Sequence, residues 1–246
     1  GIIHKEQADG GISSAIRMGL MYDSRDFEAA PSRGIWAEAN LAYAPEFLGT
    51  SVGYTKYNLT FRNYLPIAKD KLVFAYRLNL QGFIGKESPA FYVLPYDTYL
   101  GTGYDRDGFG GYRTVRGLMR GRIQGAHTCY FNTELRWRFV SFQLWKQNIA
   151  FALSGFFDGA RVLKGFGNDF DISALTPFMP QSSYLPPEGT LPYRLYGEKE
   201  RFHLSAGGGI RFIMNRNFIV AFEYGKAFDA QDNSKGAFYI NTGFLF

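Results

Sequence analysis

The chain has 246 residues, a net charge of +5 and an isoelectric point near 9.2. No stretch approaches the roughly 20 apolar residues of a spanning helix. A single cysteine, Cys129, excludes an intrachain disulfide or a cysteine metal cluster, and the positive charge comes with no motif for nucleic acid.

Residues 1–10 are polar and read as a tail or loop, with no charged-then-apolar leader pattern. The remainder, 11–246, reads as one all-β domain of alternating segments. The first strand spans about 12–22, with Ile12, Ile16, Met18 and Leu20 on one parity. A charged turn with Pro31 follows, then a second strand over 34–43. The third, 52–65, sets Tyr57, Leu59, Phe61 and Leu65 against Lys56, Asn58, Thr60 and Arg62, and a turn is expected at Pro66. The fourth, 72–84, sets Phe74, Tyr76, Leu78 and Leu80 against Ala75, Arg77, Asn79 and Gln81.

Residues 85–124 are too long for an idle connection. Their many glycines and tyrosines suit an ordered loop with tight turns. Near its end stands Gly110-Gly111-Tyr112-Arg113-Thr114-Val115-Arg116-Gly117-Leu118. The fifth strand, 125–139, and the sixth, 148–162, again alternate, and parity places Glu134 and Asp158 on their polar faces. Cys129 falls on the apolar face, where it reads as inert filler. Five prolines within 164–199 exclude a continuous strand there and predict a second long loop. The last three strands span about 201–213, 218–228 and 236–246.

Nine amphipathic strands, 18% aromatic residues and 29 glycines suit an antiparallel transmembrane β-barrel with aromatic girdles. The mean hydropathy of −0.19 is compatible, because a polar lumen face dilutes the average. The odd strand number conflicts with the even count of bacterial single-chain barrels. About 8–10 strands are therefore expected here, as part of a larger barrel or as a reduced one.

The Val115-Arg116-Gly117 loop resembles that of the superfamily of bacterial outer-membrane insertases and translocases (BamA/TamA/FhaC-like, bacterial surface antigen barrels). Further segments resemble it in order: Tyr22-Asp23-Ser24-Arg25-Asp26 with Pro31 and Gly34, Asn132-Thr133-Glu134-Leu135-Arg136, Phe156-Phe157-Asp158-Gly159-Ala160-Arg161-Val162, and Ser205-Ala206-Gly207-Gly208-Gly209-Ile210-Arg211-Phe212. Leu118 departs from the Phe or Tyr usual in the family.

The resemblance implies the second half of a barrel of roughly sixteen strands, in the bacterial outer membrane. It implies that Arg116 is clasped by Glu134 and Asp158, with Gly111, Val115 and Gly117 shaping the loop. It implies a C-terminal strand signal in Phe238, Ile240, Phe244 and Phe246. Read from the residues alone, Arg116 either pairs with carboxylates, as a buried charge requires, or sits in water at a loop tip.

The function implied is insertion or translocation of proteins through a lateral seam, without enzymatic activity, cofactor or metal. The partners implied are outer-membrane lipids, client polypeptides and accessory lipoproteins. No periplasmic polypeptide-binding domain fits within residues 1–10. One alternative is a barrel that anchors or exports a separate N-terminal domain, possibly an enzyme. A weaker one is an outer-membrane phospholipase, resting on His203 and Ser205, which read more simply as two polar residues facing the lumen.

Overall fold

The computed structural model describes residues 10–69, 71–85, 91–93, 96–97, 106–165 and 200–246. The tail before residue 10 and the proline-rich stretch at 166–199 lie outside the described residues. Among the described residues one sheet runs through nine strands, each antiparallel to its neighbours. In chain order they are β1 (Ile16–Asp23), β2 (Gly34–Ala44), β3 (Tyr54–Ala68), β4 (Leu72–Ile84), β7 (His127–Leu144), β8 (Gln147–Lys164), β9 (His203–Met214), β10 (Phe218–Ala227) and β11 (Ala237–Thr242). The long connection after β4 contributes a two-residue ribbon of β5 (Tyr96–Asp97) and β6 (Arg106–Asp107). The sheet is open, with β1 and β11 at its two edges.

Side-chain alternation gives the sheet a polar inner and an apolar outer face. On β3 the inner Lys56, Asn58 and Thr60 are buried, while Leu59 and Leu65 of the outer face are exposed. On β7 the inner Asn132, Glu134 and Arg136 are buried, while Leu135 and Trp137 face out. This inverts the pattern of a soluble sandwich, whose apolar residues point inward. The connections after β4 and β8 leave one mouth, and the short β3–β4, β7–β8 and β9–β10 turns lie at the other, together with the β1–β2 connection. The described helices are short turns, so none is long and apolar enough to cross a membrane.

Four strands depart from the expected limits, and the first, β1, begins at Ile16, four residues after Ile12. β3 continues through Pro66 to Ala68, because a register shift between Pro66 and Ala68 accommodates the residue that cannot donate. β7 continues from Phe139 to Leu144 past a second register shift between Arg138 and Val140. β11 stops at Thr242, four residues early, because Gly243 takes a φ of +99°.

Both ends of the described sheet fold inward at the short-turn mouth. The β1–β2 connection places Ala30 and Phe27 against Ala150, Ala152, Ile213 and Ile219 of β8–β10. From the opposite edge, Phe246 packs on Tyr64, Val73 and Ala75. The loop before β7 fills the other mouth, where Phe109, Val115, Leu118 and Ile123 meet Tyr130, Ala160 and Ala227.

Candidate functional site

The loop holding Arg116 is a folded hairpin, not a slack connection. Phe109 and Ile123 form an isolated antiparallel bridge, and the Gly111 N–H donates to the Leu118 carbonyl at 3.0 Å. The Thr114 hydroxyl accepts from the Gly110 N–H at 2.8 Å. Gly110, Gly111 and Gly117 all have positive φ, at +122°, +82° and +88°. At Gly117 space is short as well, since a Cβ there would lie 2.9 Å from the Lys226 nitrogen on β10. Glycine is required on both counts. Leu118 fills the apolar cluster beside Val115.

Arg116 is fully buried. Its Nε and Nη2 donate to the two oxygens of Asp158 at 2.9 and 3.1 Å, a fork-to-fork pair. The Arg116 backbone N–H adds a third bond to Asp158 at 3.1 Å. Nη1 donates to Glu134 at 2.7 Å and to Glu223 at 3.0 Å. The guanidinium lies 3.6 Å from the centre of the Phe156 ring, in cation–π contact. Burial alone would depress the Arg116 pKa. The Asp158, Glu134 and Glu223 carboxylates outweigh it and hold the group above the ordinary arginine value.

Two further arginines complete the charge balance. Arg136 Nε donates to Glu134 at 2.9 Å. Arg211 Nη2 lies 2.6 Å from Glu223 and 3.0 Å from Glu134. Three buried guanidiniums thus face three buried carboxylates. Ion pairs in such a place are no large net gain over apolar packing, but loss of one member strands its partner.

The rest of the loop is held strand by strand. Arg77 of β4 donates to the Arg113 and Thr114 carbonyls at 3.1 and 3.2 Å. Asn132 of β7 donates to the Thr114 carbonyl at 2.6 Å. The Ser205 hydroxyl of β9 donates to the Arg116 carbonyl. The Gly117 N–H donates to the Tyr239 hydroxyl of β11 at 2.9 Å. Six consecutive strands of the sheet, from β4 to β11, therefore touch the nine-residue motif.

The structure brings Arg116, Glu134 and Asp158 together. Glu223 and Tyr239 lay outside every segment singled out in the sequence, and Arg136, Arg211 and Phe156 stood within such segments without an assigned role at the site. Parity held a signal for Glu223, an acid sharing the inner face of β10 with Ile219 and Ala221. The C-terminal residues divide. Phe238 and Ile240 point outward, 63% and 65% exposed. Phe244 and Phe246 lie beyond Gly243 and turn inward. Arg136 stacks 4.1 Å from the Phe244 ring centre, and its Nη2 donates to the Phe246 carbonyl at 2.8 Å.

His203 and Ser205 do not pair with each other. The His203 ring lies between Asp232 and Glu200, with Nδ1 2.8 Å from Asp232 and Nε2 3.0 Å from Glu200. Ser205 is buried and engaged with the loop backbone. Among the described residues no three His, Cys, Asp or Glu side chains converge as metal ligands. The chemistry of the site is ion pairing: it fixes a loop inside a sheet.

A family model described as the Omp85 superfamily domain matches residues 3–246. Among solved structures, the crystal structure of BamA from Haemophilus ducreyi lacking POTRA domains 1-3 matches with a TM-score of 0.59 and 18% identity. The match covers 92% of this chain and 41% of that one, so this chain spans well under half the length of that neighbour. No curated protein matches.

Proposed function

The chain belongs to the Omp85 superfamily of outer-membrane barrels, and on that premise we propose that it assists insertion or translocation of proteins through a lateral seam. The observation that carries this reading is the state of β11. It pairs with β10 over six residues only, Val220–Gly225 against Ala237–Thr242, and its other edge has no strand beside it among the described residues. An unpaired edge is a template for an incoming strand. Through Tyr239 the same strand is bonded to the loop motif. The clasp would hold the loop in place and steady β11 at the rim while client strands pair beside it. Client outer-membrane or secreted polypeptides, with accessory lipoproteins, are the partners of this reading.

The test is capture of a client in the act. A photo-crosslinking residue is placed at Phe238 or Ile240 on β11, and at Leu135 on β7 as a control. A stalled client strand should crosslink at the β11 positions and not at position 135. Equal capture at all three, or none at β11, sinks the seam reading.

A further inference from the structure

The β7–β8 hairpin reaches well past the strand beside it. β4 begins at Leu72, opposite Trp137, yet β7 runs on to Leu144. Those seven further residues extend roughly 23 Å along the strand. Apart from the Arg138 N–H, which donates to the Lys71 carbonyl, this length of β7 has no strand on its β4 side among the described residues. Phe139 to Leu144 are exposed on both faces.

The sequence along this projection changes parity. Leu135, Trp137 and Phe139 are apolar at odd positions, but Val140, Phe142 and Leu144 are apolar at even ones. The register shift between Arg138 and Val140 absorbs the change. Val140 and Phe142 consequently stand opposite Phe151 and Ile149 of the outer face, and Ser141 and Gln143 take the inner one. One extra residue thus keeps the outer face apolar to the tip.

The tip itself breaks a local preference. Trp145 and Lys146 are its two turn residues, with φ of 45° and 66°. Two-residue hairpin turns of this hand favour Asn and Gly, and a bulky residue at positive φ costs energy. The tryptophan is 88% exposed, so packing within the chain does not explain its presence.

These features set two demands on the surroundings. The outward side chains need an apolar phase, whereas the uncovered backbone edge of β7 needs hydrogen-bonding partners, which the hydrocarbon core does not supply. The headgroup zone of a bilayer supplies both, and tryptophan and lysine favour it. Short turns of such barrels lie on the periplasmic side. We propose that the β7–β8 tip binds the phospholipid surface of the periplasm-facing leaflet. Trp145 and Lys146 sit among the headgroups, and Val140, Phe142 and Leu144 lie against the upper acyl chains. The proposal needs the membrane barrel but not the client-handling reading.

The test uses the full chain in vesicles of phosphatidylethanolamine and phosphatidylglycerol. Lipids carry bromine either near the headgroup end of the acyl chain or near its terminal methyl. The emission lost in Trp145→Phe, or in Trp145→Tyr as a second variant, isolates the tip from Trp36 and Trp137. Expected is a blue-shifted component, quenched by the shallow bromines, spared by the deep ones and shielded from iodide. Those amides of 139–144 that point away from β8 should exchange rapidly with solvent deuterium, while the alternate ones are held by the β7–β8 ladder. A water-like, iodide-quenched component overturns the proposal. So does protection of those amides without bromine quenching, which would show the edge taken by a polypeptide strand.

Discussion

Gly117 and Tyr239 stand 122 positions apart in sequence, yet the N–H of one donates to the hydroxyl of the other at 2.9 Å. The bond joins the inward loop to β11 at the sheet's edge. Tyr239→Phe removes the acceptor and leaves a partly buried N–H unmet. The expected loss is about 1–2 kcal/mol, read as a lower urea midpoint. Faster deuterium exchange at Gly117 should accompany it.

Charge reversal tests the clasp directly. Arg116→Glu sets a fourth carboxylate among Glu134, Asp158 and Glu223. Removing one partner of a buried pair costs about 3–5 kcal/mol, so assembly into bilayers should fall sharply. Heat-modifiable gel mobility reports the folded fraction. Adding Asp158→Arg should restore part of it, and normal assembly of the single variant would deny the clasp any structural weight.

Glu223 offers a double-mutant cycle. Glu223→Gln leaves three guanidiniums facing two carboxylates and should cost about 3 kcal/mol. Arg211→Met in the same chain restores the balance. The double variant should be more stable than the sum of the singles by at least about 1 kcal/mol, as measured by urea titration.

Gly111 and Gly117 separate backbone strain from lack of space. Gly111→Ala meets nothing closer than 3.6 Å, so only its positive φ is penalised, by about 1 kcal/mol. Gly117→Ala also drives a methyl against β10 and should lose more, about 2–3 kcal/mol. Equal midpoints for the two variants would contradict the close approach of loop and strand.

Asp26, in the β1–β2 connection, gives a pH signature. Burial pushes its carboxyl up. Bonds from the Ser32 hydroxyl and from the Ser32 and Arg33 amides outweigh that and hold it below the usual aspartate value. A lowered folded pKa stabilises above the unfolded value of about 3.9, and the gain is lost as pH falls through the folded one. Asp26→Asn should therefore lower the urea midpoint at pH 7. The two midpoints should converge as the pH is taken below the folded pKa.

Much of the sheet was legible because its alternation is clean. β4 begins at Leu72 and ends at Ile84, as its pattern predicts. The limits failed where one residue upset the period. Pro66 and the 139/140 parity change both looked like strand ends, and register shifts carry the strands through them. Gly243 looked like part of a strand and instead ends it. Within the site, Glu134 and Asp158 followed from parity together with the family motif. Glu223 shared the parity but lay in no quoted motif, so only the folded chain shows it meeting Arg116. Arg136 and Arg211 stood within the family-like segments, yet their sharing of Glu134 depends on strand register, which alternation alone does not set.

The spread of the clasp over the chain also orders its assembly. Arg116 lies upstream of every acid that holds it: Glu134, Asp158 and Glu223 arrive later in synthesis and on three different strands. Between the loop's emergence and the pairing of β10, the arginine has no complete site. Closing contacts over such separations is slow, because the chain must lose much freedom before any bond forms. Docking of the loop is therefore a late event that reports a finished sheet. A chain mispaired by one strand would separate Arg116 from one of its acids and strand a buried carboxylate, which is costly, so charge balance and strand order depend on each other.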